Sequence, residues 1–276
     1  MNSKQMLKSL LKTFEDTFYV EKYSASEGLV QSIDTRVKLI SMIGIVVTAV
    51  AVRTPISLVI LLVLVLGLAA TARIPLGFFM YRSIIFVPLF AGVIALPLLF
   101  IVPGASVAEI GIGPYLLVIT REGIHRAVQF FLRVWVCVAS LTLLILVTRF
   151  SKIIQAMERF KVPTLFVMLT SITFRFIFVL IDEAYRLVVA RESRSVGKEN
   201  RMEVLRSLGS IVGTLFIRSY ERGERVYTAM LARGYPGQPR SMDYAKLQRR
   251  DFVFGLAILS ICLVVFLLEF LNTGVA

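Results

Sequence analysis

Two stretches in the second half of the chain end alike and carry the side chains best suited to binding a partner. They are Ala190-Arg191-Glu192, which runs toward Gly197, and Ala232-Arg233-Gly234, which runs into Pro236. A small residue beside an arginine leaves room for a partner to close around the guanidinium, whose planar fork pairs with carboxylates or backbone carbonyls. We therefore predict that Arg191 and Arg233 insert into two similar pockets of a partner.

A purely structural interpretation of these residues stays open. Cationic side chains favour the last turn of a helix, and glycine favours the position just beyond it. This explains either stretch taken alone. Repetition of the pattern at the ends of two paired helices favours the docking hypothesis.

Motifs for enzymatic chemistry are missing from the sequence. It contains no G-x-x-x-x-G-K-[ST] loop and no H-E-x-x-H or C-x-x-C motif. His125 is the sole histidine, and Cys137 and Cys262 lie in apolar runs, where cysteine behaves as a small hydrophobe. A membrane-bound enzyme acting on a lipid or prenyl substrate needs converging acids, whereas a helix separates the neighbours Asp182 and Glu183 by about 100°. We expect no catalytic residue, cofactor or metal site in this chain.

Composition places these motifs in a membrane protein. The 276 residues are 57% hydrophobic and only 18% charged, and the mean hydropathy is +0.79. Such values exclude a disordered chain. The net charge of +13 in so apolar a chain indicates basic cytoplasmic loops and not a nucleic-acid-binding protein.

Apolar runs of about 20 residues predict the membrane helices. We expect an all-α polytopic protein with about five of them, and Lys38 snorkelling at the start of the first. The predicted spans are Val37–Val52, Ile56–Ala72, Ser83–Val102, Ala127–Thr148 and Phe252–Leu271. The connector Pro103–His125 is predicted to be a loop, with a re-entrant or interfacial piece as the alternative. Arg133, near the start of the fourth span, is expected to snorkel or to have a functional role.

Charge predicts the orientation. Residues 149–250 hold 19 of the 31 Lys and Arg and 9 of the 18 acids, a net charge of +10. The positive-inside rule makes this block cytoplasmic. The protein is then expected in the cell (inner) membrane, with its N-terminus in the cytoplasm and its C-terminus outside. Treating Leu165–Ile181 as a sixth span would move part of the block outside. The predicted organisation is an N-terminal interfacial segment (1–36), a membrane domain (37–148), a cytoplasmic coupling module (149–250) and a final membrane helix with a short tail (251–276).

Two long helices are predicted in the basic block, from Pro163 to Arg194 and from Arg201 to Arg233. The first begins apolar on all sides and ends charged; its Arg175 is expected to pair with Asp182 or Glu183, or to contact lipid phosphate. In the second, Gly209 and Gly213 form a small-xxx-small pair that would let another helix pack closely.

Three segments resemble one known family. Arg218-Ser219-Tyr220-Glu221-Arg222-Gly223-Glu224-Arg225-Val226-Tyr227-Thr228-Ala229-Met230-Leu231-Ala232-Arg233-Gly234 is similar to a signature of the transmembrane T component of energy-coupling factor (ECF) transporters, in the cobalt-type branch CbiQ. Ala190-Arg191-Glu192 resembles the first of the two Ala-Arg-x motifs of that family. Ser32–Leu39 resembles its Leu-Asp-Pro-Arg-x-Lys segment, with Thr35 in place of proline.

The resemblance implies a division of labour. Two cytoplasmic ABC ATPase subunits would bind ATP and hold Ala190, Arg191, Glu192, Ala232, Arg233 and Gly234, while a separate membrane subunit would bind the substrate. This chain would then transmit movement between them without catalysis, surrounded by membrane lipids. The branch implies cobalt or nickel uptake; a T component for a vitamin-type importer is the alternative, and a self-sufficient channel or carrier is disfavoured by the featureless first two spans.

Overall fold

The computed structural model describes residues 28, 30–85, 87–112, 115–194, 200–235 and 247–274. Their contacts divide them into two compact units, one before Ile154 together with residues from 247 onward, and one from Ile154 to Tyr235. The N-terminal segment predicted to be interfacial lies almost wholly outside the described residues. The helices are α1 (Thr35–Ala51), α2 (Pro55–Thr71), α3 (Leu76–Ile85), α4 (Val87–Ala95), α5 (Leu98–Ile101), α6 (Arg121–Val147), α7 (Phe150–Arg159), α8 (Thr164–Arg194), α9 (Arg201–Ala232) and α10 (Arg249–Gly274).

The first two helices lie where the apolar runs predict them. Asp34 caps α1, because its carboxylate accepts a hydrogen bond from the Arg36 backbone N–H at 2.9 Å. Pro55 occupies the first turn of α2, where its missing N–H costs nothing. Val52, Arg53 and Thr54 form the turn between the two helices.

The third apolar run is a broken helix and not a straight span. It begins at Leu76, seven residues before the predicted start, and α3 meets the segment Val87–Ile101 at an angle of 44°. Pro88 and Pro97 explain the interruptions, since proline has no N–H to donate to the preceding turn. The bend therefore follows from residues that the prediction had treated as tolerated within one span.

The connector contains a β-hairpin, so the predicted loop was wrong. Strand β1 (Ser106–Ile112) pairs antiparallel with β2 (Tyr115–Thr120). The β-branched residues of this segment favour extended backbone. Thr120 then begins α6: its hydroxyl accepts from the Gly123 N–H at 3.1 Å and donates to the Val102 carbonyl at 2.7 Å. The helix starts six residues before the predicted span because its first turns are polar.

The core of the first unit forms where α1, α2, α6 and α10 pack together. Phe79 of α3 joins it, and its side chain is completely buried. Small residues such as Ala49 and Ala139 allow close approach between the helices. Cys262 is buried and Cys137 is half-buried, and both are free thiols, as expected of small apolar residues.

Three of the described helices are long and apolar enough to cross a membrane: α6, α8 and α10 as far as Leu271. The bent pair Leu76–Ile101 makes a fourth if it counts as one span, and α2 is apolar but shorter. The predicted helical, polytopic membrane class is confirmed. The composition of α8 is that of a spanning helix, so its predicted cytoplasmic location rests on charge asymmetry alone.

The second unit is built mainly from α8 and α9. Both lie close to the predicted helix bounds, and α9 starts with a capping box in which Asn200 and Glu203 satisfy each other's backbone N–H groups. Helix α7, which the apolar runs did not predict, joins α6 to α8 along the chain.

Candidate functional site

Helices α8 and α9 run antiparallel beside each other. Near the start of α8, the Met168 sulfur accepts a hydrogen bond from the Tyr235 hydroxyl, just past the end of α9, at 2.8 Å. Further along α8, Glu183 pairs with Arg218 and, at 3.4 Å, with Arg222. Two contacts in reversed chain order define the antiparallel arrangement, and the carboxylate bridging two guanidiniums fixes the register of the pair.

Arg233 is the C-cap residue of α9 and is exposed to solvent. Gly234 follows with φ of 74°, a left-handed conformation that favours glycine. Its N–H donates to the Leu231 carbonyl at 2.9 Å, and the Tyr235 N–H donates to the Met230 carbonyl at 3.0 Å. These bonds form a Schellman motif. The capping role expected of Ala232-Arg233-Gly234 is therefore present, and it leaves the Arg233 side chain at the helix tip.

Arg191 lies in a different local setting. It is half-buried in the last turn of α8, which continues to Arg194. The adjacent Ala190 is exposed, while Glu192 is half-buried. The residues that include Gly197 fall outside the described part of the chain. The two stretches, alike in sequence, thus differ in backbone position: one sits inside a helix end and the other forms the cap.

The antiparallel pairing separates the two arginines widely. Arg191 lies about 12 Å beyond the Glu183 contact along α8, at a rise of about 1.5 Å per residue. Arg233 lies about 17 Å beyond Arg222 along α9, in the opposite direction. The backbone positions of the two arginines are therefore about 30 Å apart along the helix pair, which suits two binding pockets and not a single shared one.

Much of the surface of α9 is open. Glycines 209 and 213 are exposed, and an added Cβ at either would meet open space. No helix among the described residues packs on this pair, so close packing there stays a prediction about a partner. Many large apolar side chains of α9 are more than half exposed: Met202, Leu205, Val212, Phe216, Ile217, Tyr220, Tyr227 and Leu231.

A shallow depression of about 630 Å³ lies along α9 beside the Arg233 tip. Glu221, Glu224 and Arg225 line it, together with the small side chains of Thr228, Ala229 and Ala232. A partner surface seated here would meet the carboxylates of Glu221 and Glu224 and the guanidinium of Arg225. Complementary recognition would therefore need both acidic and basic groups on that partner.

Sequence reasoning missed a polar cluster in the first unit, at the turn between α1 and α2. Glu269 of α10, nearly buried, accepts hydrogen bonds from the backbone N–H groups of Arg53 and Thr54, each at 3.0 Å. It also accepts from the hydroxyls of Thr54 at 2.5 Å and Ser57 at 3.2 Å. The carboxylate thus caps α2, whose N-terminal dipole end favours an anion. An acid inside the last apolar run was the available signal.

Arg133 completes this cluster from the other side of the turn. Its guanidinium donates to the Val52 carbonyl, at the C-terminus of α1, at 2.8 Å. A cation at a helix C-terminus and an anion at the next N-terminus both match the helix dipoles. Arg133 lies near the middle of α6 and binds this carbonyl, so the expected snorkelling at a helix end is not what it does.

The opposite end of α10 has a matching contact. Asp251 accepts from the Asp34 N–H at 3.0 Å and from the Gln248 N–H at 2.7 Å. Lys38 is buried and donates to the Gln31 carbonyl at 3.1 Å. Lys38 therefore does not extend to solvent as predicted. Helix α10 is held near both of its ends by carboxylates, Asp251 and Glu269, that accept hydrogen bonds from backbone N–H groups.

Arg175 does not make the predicted ion pair. Asp182 pairs with Arg186, one turn along α8, at 2.8 Å, and Glu183 pairs across to α9. Arg175 is exposed on α8. Over the described ranges, no group of three or more His, Cys, Asp or Glu side chains could hold a metal ion.

The chain is similar to one protein family and to several known proteins. Residues 27–244 match the CbiQ family, described as cobalt transport protein. An uncharacterized protein of Methanocaldococcus jannaschii is 33% identical over 261 residues, which is 93% of this chain and 89% of that protein. The cobalt transport protein CbiQ of Rhodobacter capsulatus is 31% identical over 205 residues, 73% of this chain and 79% of that protein. The energy-coupling factor transporter transmembrane protein EcfT of Streptococcus thermophilus is 27% identical over 268 residues, 92% of this chain and 99% of that protein.

The helical membrane fold and the similarity to these proteins show that the chain is a multi-pass membrane component of a transporter. Within that class, the chain belongs to the CbiQ family, the cobalt-type T components of ECF transporters. Such a component works in a membrane complex with other subunits.

Proposed function

We propose that this chain is the coupling subunit of an ECF-type importer. It transmits ATP-driven movement from two cytoplasmic ATPases to a separate membrane subunit that binds the substrate. The observation that carries this proposal is the antiparallel pair α8–α9, with one arginine toward each end. A separation of about 30 Å supports two distinct contacts, one per ATPase.

Docking at the two tips follows from the side chains. Arg233 extends from a capped helix end beside exposed alanines, so a partner pocket can surround its guanidinium without removing a bulky neighbour. Arg191 lies beside the exposed Ala190. Glu183, bonded to Arg218 and Arg222, links the two helices between the tips. The full docking set is Ala190, Arg191, Glu192, Ala232, Arg233 and Gly234.

Orientation and chemistry complete the proposal. The basic block of residues 149–250 favours a cytoplasmic coupling module, with the C-terminus external. ATP is bound by the partner ATPases, and this chain is a non-catalytic subunit that needs no cofactor. Cobalt or nickel is the proposed substrate, supported by the family description and by the name of the Rhodobacter capsulatus relative.

A second candidate substrate class has its own support. Relatives in Streptococcus thermophilus and Streptococcus equi bear the name energy-coupling factor transporter transmembrane protein, which specifies no metal. A T component that serves a vitamin-binding subunit is therefore the alternative. Uptake assays with both substrate classes distinguish the two.

Charge reversal tests the docking. Arg191→Glu with Arg233→Glu is co-expressed with the two candidate ATPases, and the complex is purified through a tag on this chain. We expect the single variants to lose part of the bound ATPase and the double variant to lose nearly all of it. Arg186→Glu with Arg206→Glu makes the same change in net charge on the same helices and is expected to retain both ATPases. Full retention by the Arg191/Arg233 double variant, with an unchanged thermal unfolding profile, would refute the docking role.

A further inference from the structure

Helix α7 occupies a place in the chain that confines it to a membrane surface. The helix before it, α6, is long and apolar enough to cross a membrane and ends at Val147. Phe150 begins α7 three residues later, and three residues of chain span at most about 10 Å. Helix α7 therefore lies close to the bilayer plane at which α6 ends.

One face of α7 is suited to that location. Phe150, Ile153, Ile154 and Met157 recur at helical spacing along one side, and polar residues fill the other. Although Ile154 is buried, Phe150 is 46% exposed and Met157 is 38% exposed. A ten-residue helix is about 15 Å long, too short to cross. Apolar on one side and polar on the other, it matches a helix that lies in the interface.

The polar side and flanks of α7 are basic. Residues 149–161 hold four cations and one acid: Arg149, Lys152, Arg159 and Lys161 against Glu158. The side chains of Arg149, Lys152 and Lys161 are exposed. A net charge of +3 within 13 residues, at the depth of the headgroups, favours anionic phospholipid. Because α7 follows directly after the membrane helix α6, we expect this face of α7 to contact lipid and not a protein partner.

Lys161 supports the same conclusion through its backbone. Its φ is 60°, in the left-handed region that glycine or asparagine adopts more readily. Cap chemistry alone would favour glycine here. The lysine at this position places a cation just past the end of α7.

We propose that α7, with the flanking cations of residues 149–161, is an interfacial helix that binds the headgroups of anionic phospholipids in the leaflet at which α6 ends. The apolar side chains enter the acyl boundary, and the lysine and arginine side chains extend to the phosphates. This inference rests on the membrane class of the chain and does not depend on the proposed ATPase docking.

Lipid-dependent thermal unfolding tests the charge part of the proposal. The full chain is titrated with phosphatidylglycerol or phosphatidylcholine in mixed detergent micelles, and the unfolding midpoint is followed. We expect phosphatidylglycerol to raise the midpoint, with the effect weakening as salt is added. Removing the cations in Arg149→Gln/Lys152→Gln/Lys161→Gln should weaken the apparent phosphatidylglycerol affinity about fivefold per cation. Arg194→Gln/Arg206→Gln/Arg225→Gln removes as many charges elsewhere and should respond as the unchanged chain does.

Brominated lipid tests the apolar part independently. Trp135 is the sole tryptophan, so Met157→Trp in a Trp135→Phe background reports from α7 alone. We expect strong fluorescence quenching by lipids brominated near the headgroup end of the acyl chain, and weak quenching by lipids brominated at the chain terminus. An equal phosphatidylglycerol response in the triple variant and the unchanged chain would overturn the lipid-binding role, as would the absence of quenching at residue 157.

Discussion

Glu269 offers a stability test whose magnitude follows directly from its contacts. Its two oxygens accept four hydrogen bonds, two from backbone N–H groups and two from hydroxyls. Replacing the side chain with alanine leaves the N–H groups of Arg53 and Thr54 without their acceptor in a partly buried turn. Hydrogen bonds to a charged group contribute about 1.5–3 kcal/mol each and are not additive. Losing these bonds together, in a turn that is only partly buried, should therefore cost about 3 kcal/mol in total.

The measured quantity is the unfolding midpoint of the purified chain in detergent. At about 2–4 °C per kcal/mol for a domain of this size, Glu269→Ala should lower it by about 10 °C. Glu269→Gln keeps one carbonyl oxygen for the two N–H groups, so a loss of about 1–2 kcal/mol is expected, or roughly 5 °C. Glu221→Ala, which removes an exposed acid from α9, serves as the control and should shift the midpoint by less than about 2 °C. A Glu269→Ala midpoint within that range would refute the capping role.

Two further predictions concern α8 and α9. Gly234→Ala should destabilise the chain by about 1 kcal/mol because φ is 74° there, whereas Gly223→Ala, inside α9 with open space around its Cβ, should stabilise it by about 0.5–1 kcal/mol; opposite signs in thermal unfolding support the cap geometry, and equal signs contradict it. Glu183→Gln removes the carboxylate shared by Arg218 and Arg222. Since these groups are partly exposed, the cost should be about 1 kcal/mol or less, but spin-label distance distributions between α8 and α9 should broaden; an unchanged distribution would show that the bridge does not hold the pair.

The sequence predicted α1, α2, α8, α9 and α10 because each is a long apolar or periodic run with clear ends. It predicted less where short-range signals compete. Glycine, proline and β-branched residues occur together between Pro103 and Thr120, and such a composition is compatible with a loop or a hairpin. Only the structure shows that the two strands pair. Helix α7 was not predicted because the membrane helices were identified from apolar runs of about 20 residues, and a ten-residue amphipathic helix does not contain one.

The residues of the candidate site could be predicted only in part from the sequence. Arg191 and Arg233 were identified from residue type and repetition, and their opposite positions on an antiparallel pair could be learned only from the contacts of Met168 and Glu183. Glu269 and Arg133 were visible as charges inside apolar runs, yet their shared target, the turn after α1, is more than 75 residues away along the chain from either. Long-range partners of this kind leave no local pattern to read.

ATP-driven uptake in proteoliposomes tests the coupling role most directly. The chain is reconstituted with two ATPases and a substrate-binding membrane subunit, and the entry of radioactive cobalt is measured with and without ATP. We expect uptake only when every subunit and ATP are present, background uptake from Arg191→Glu/Arg233→Glu, and normal uptake from Arg186→Glu/Arg206→Glu. Cobalt uptake by this chain alone, or undiminished ATP-driven uptake in the Arg191/Arg233 double variant, would contradict a coupling subunit that is held at two arginines.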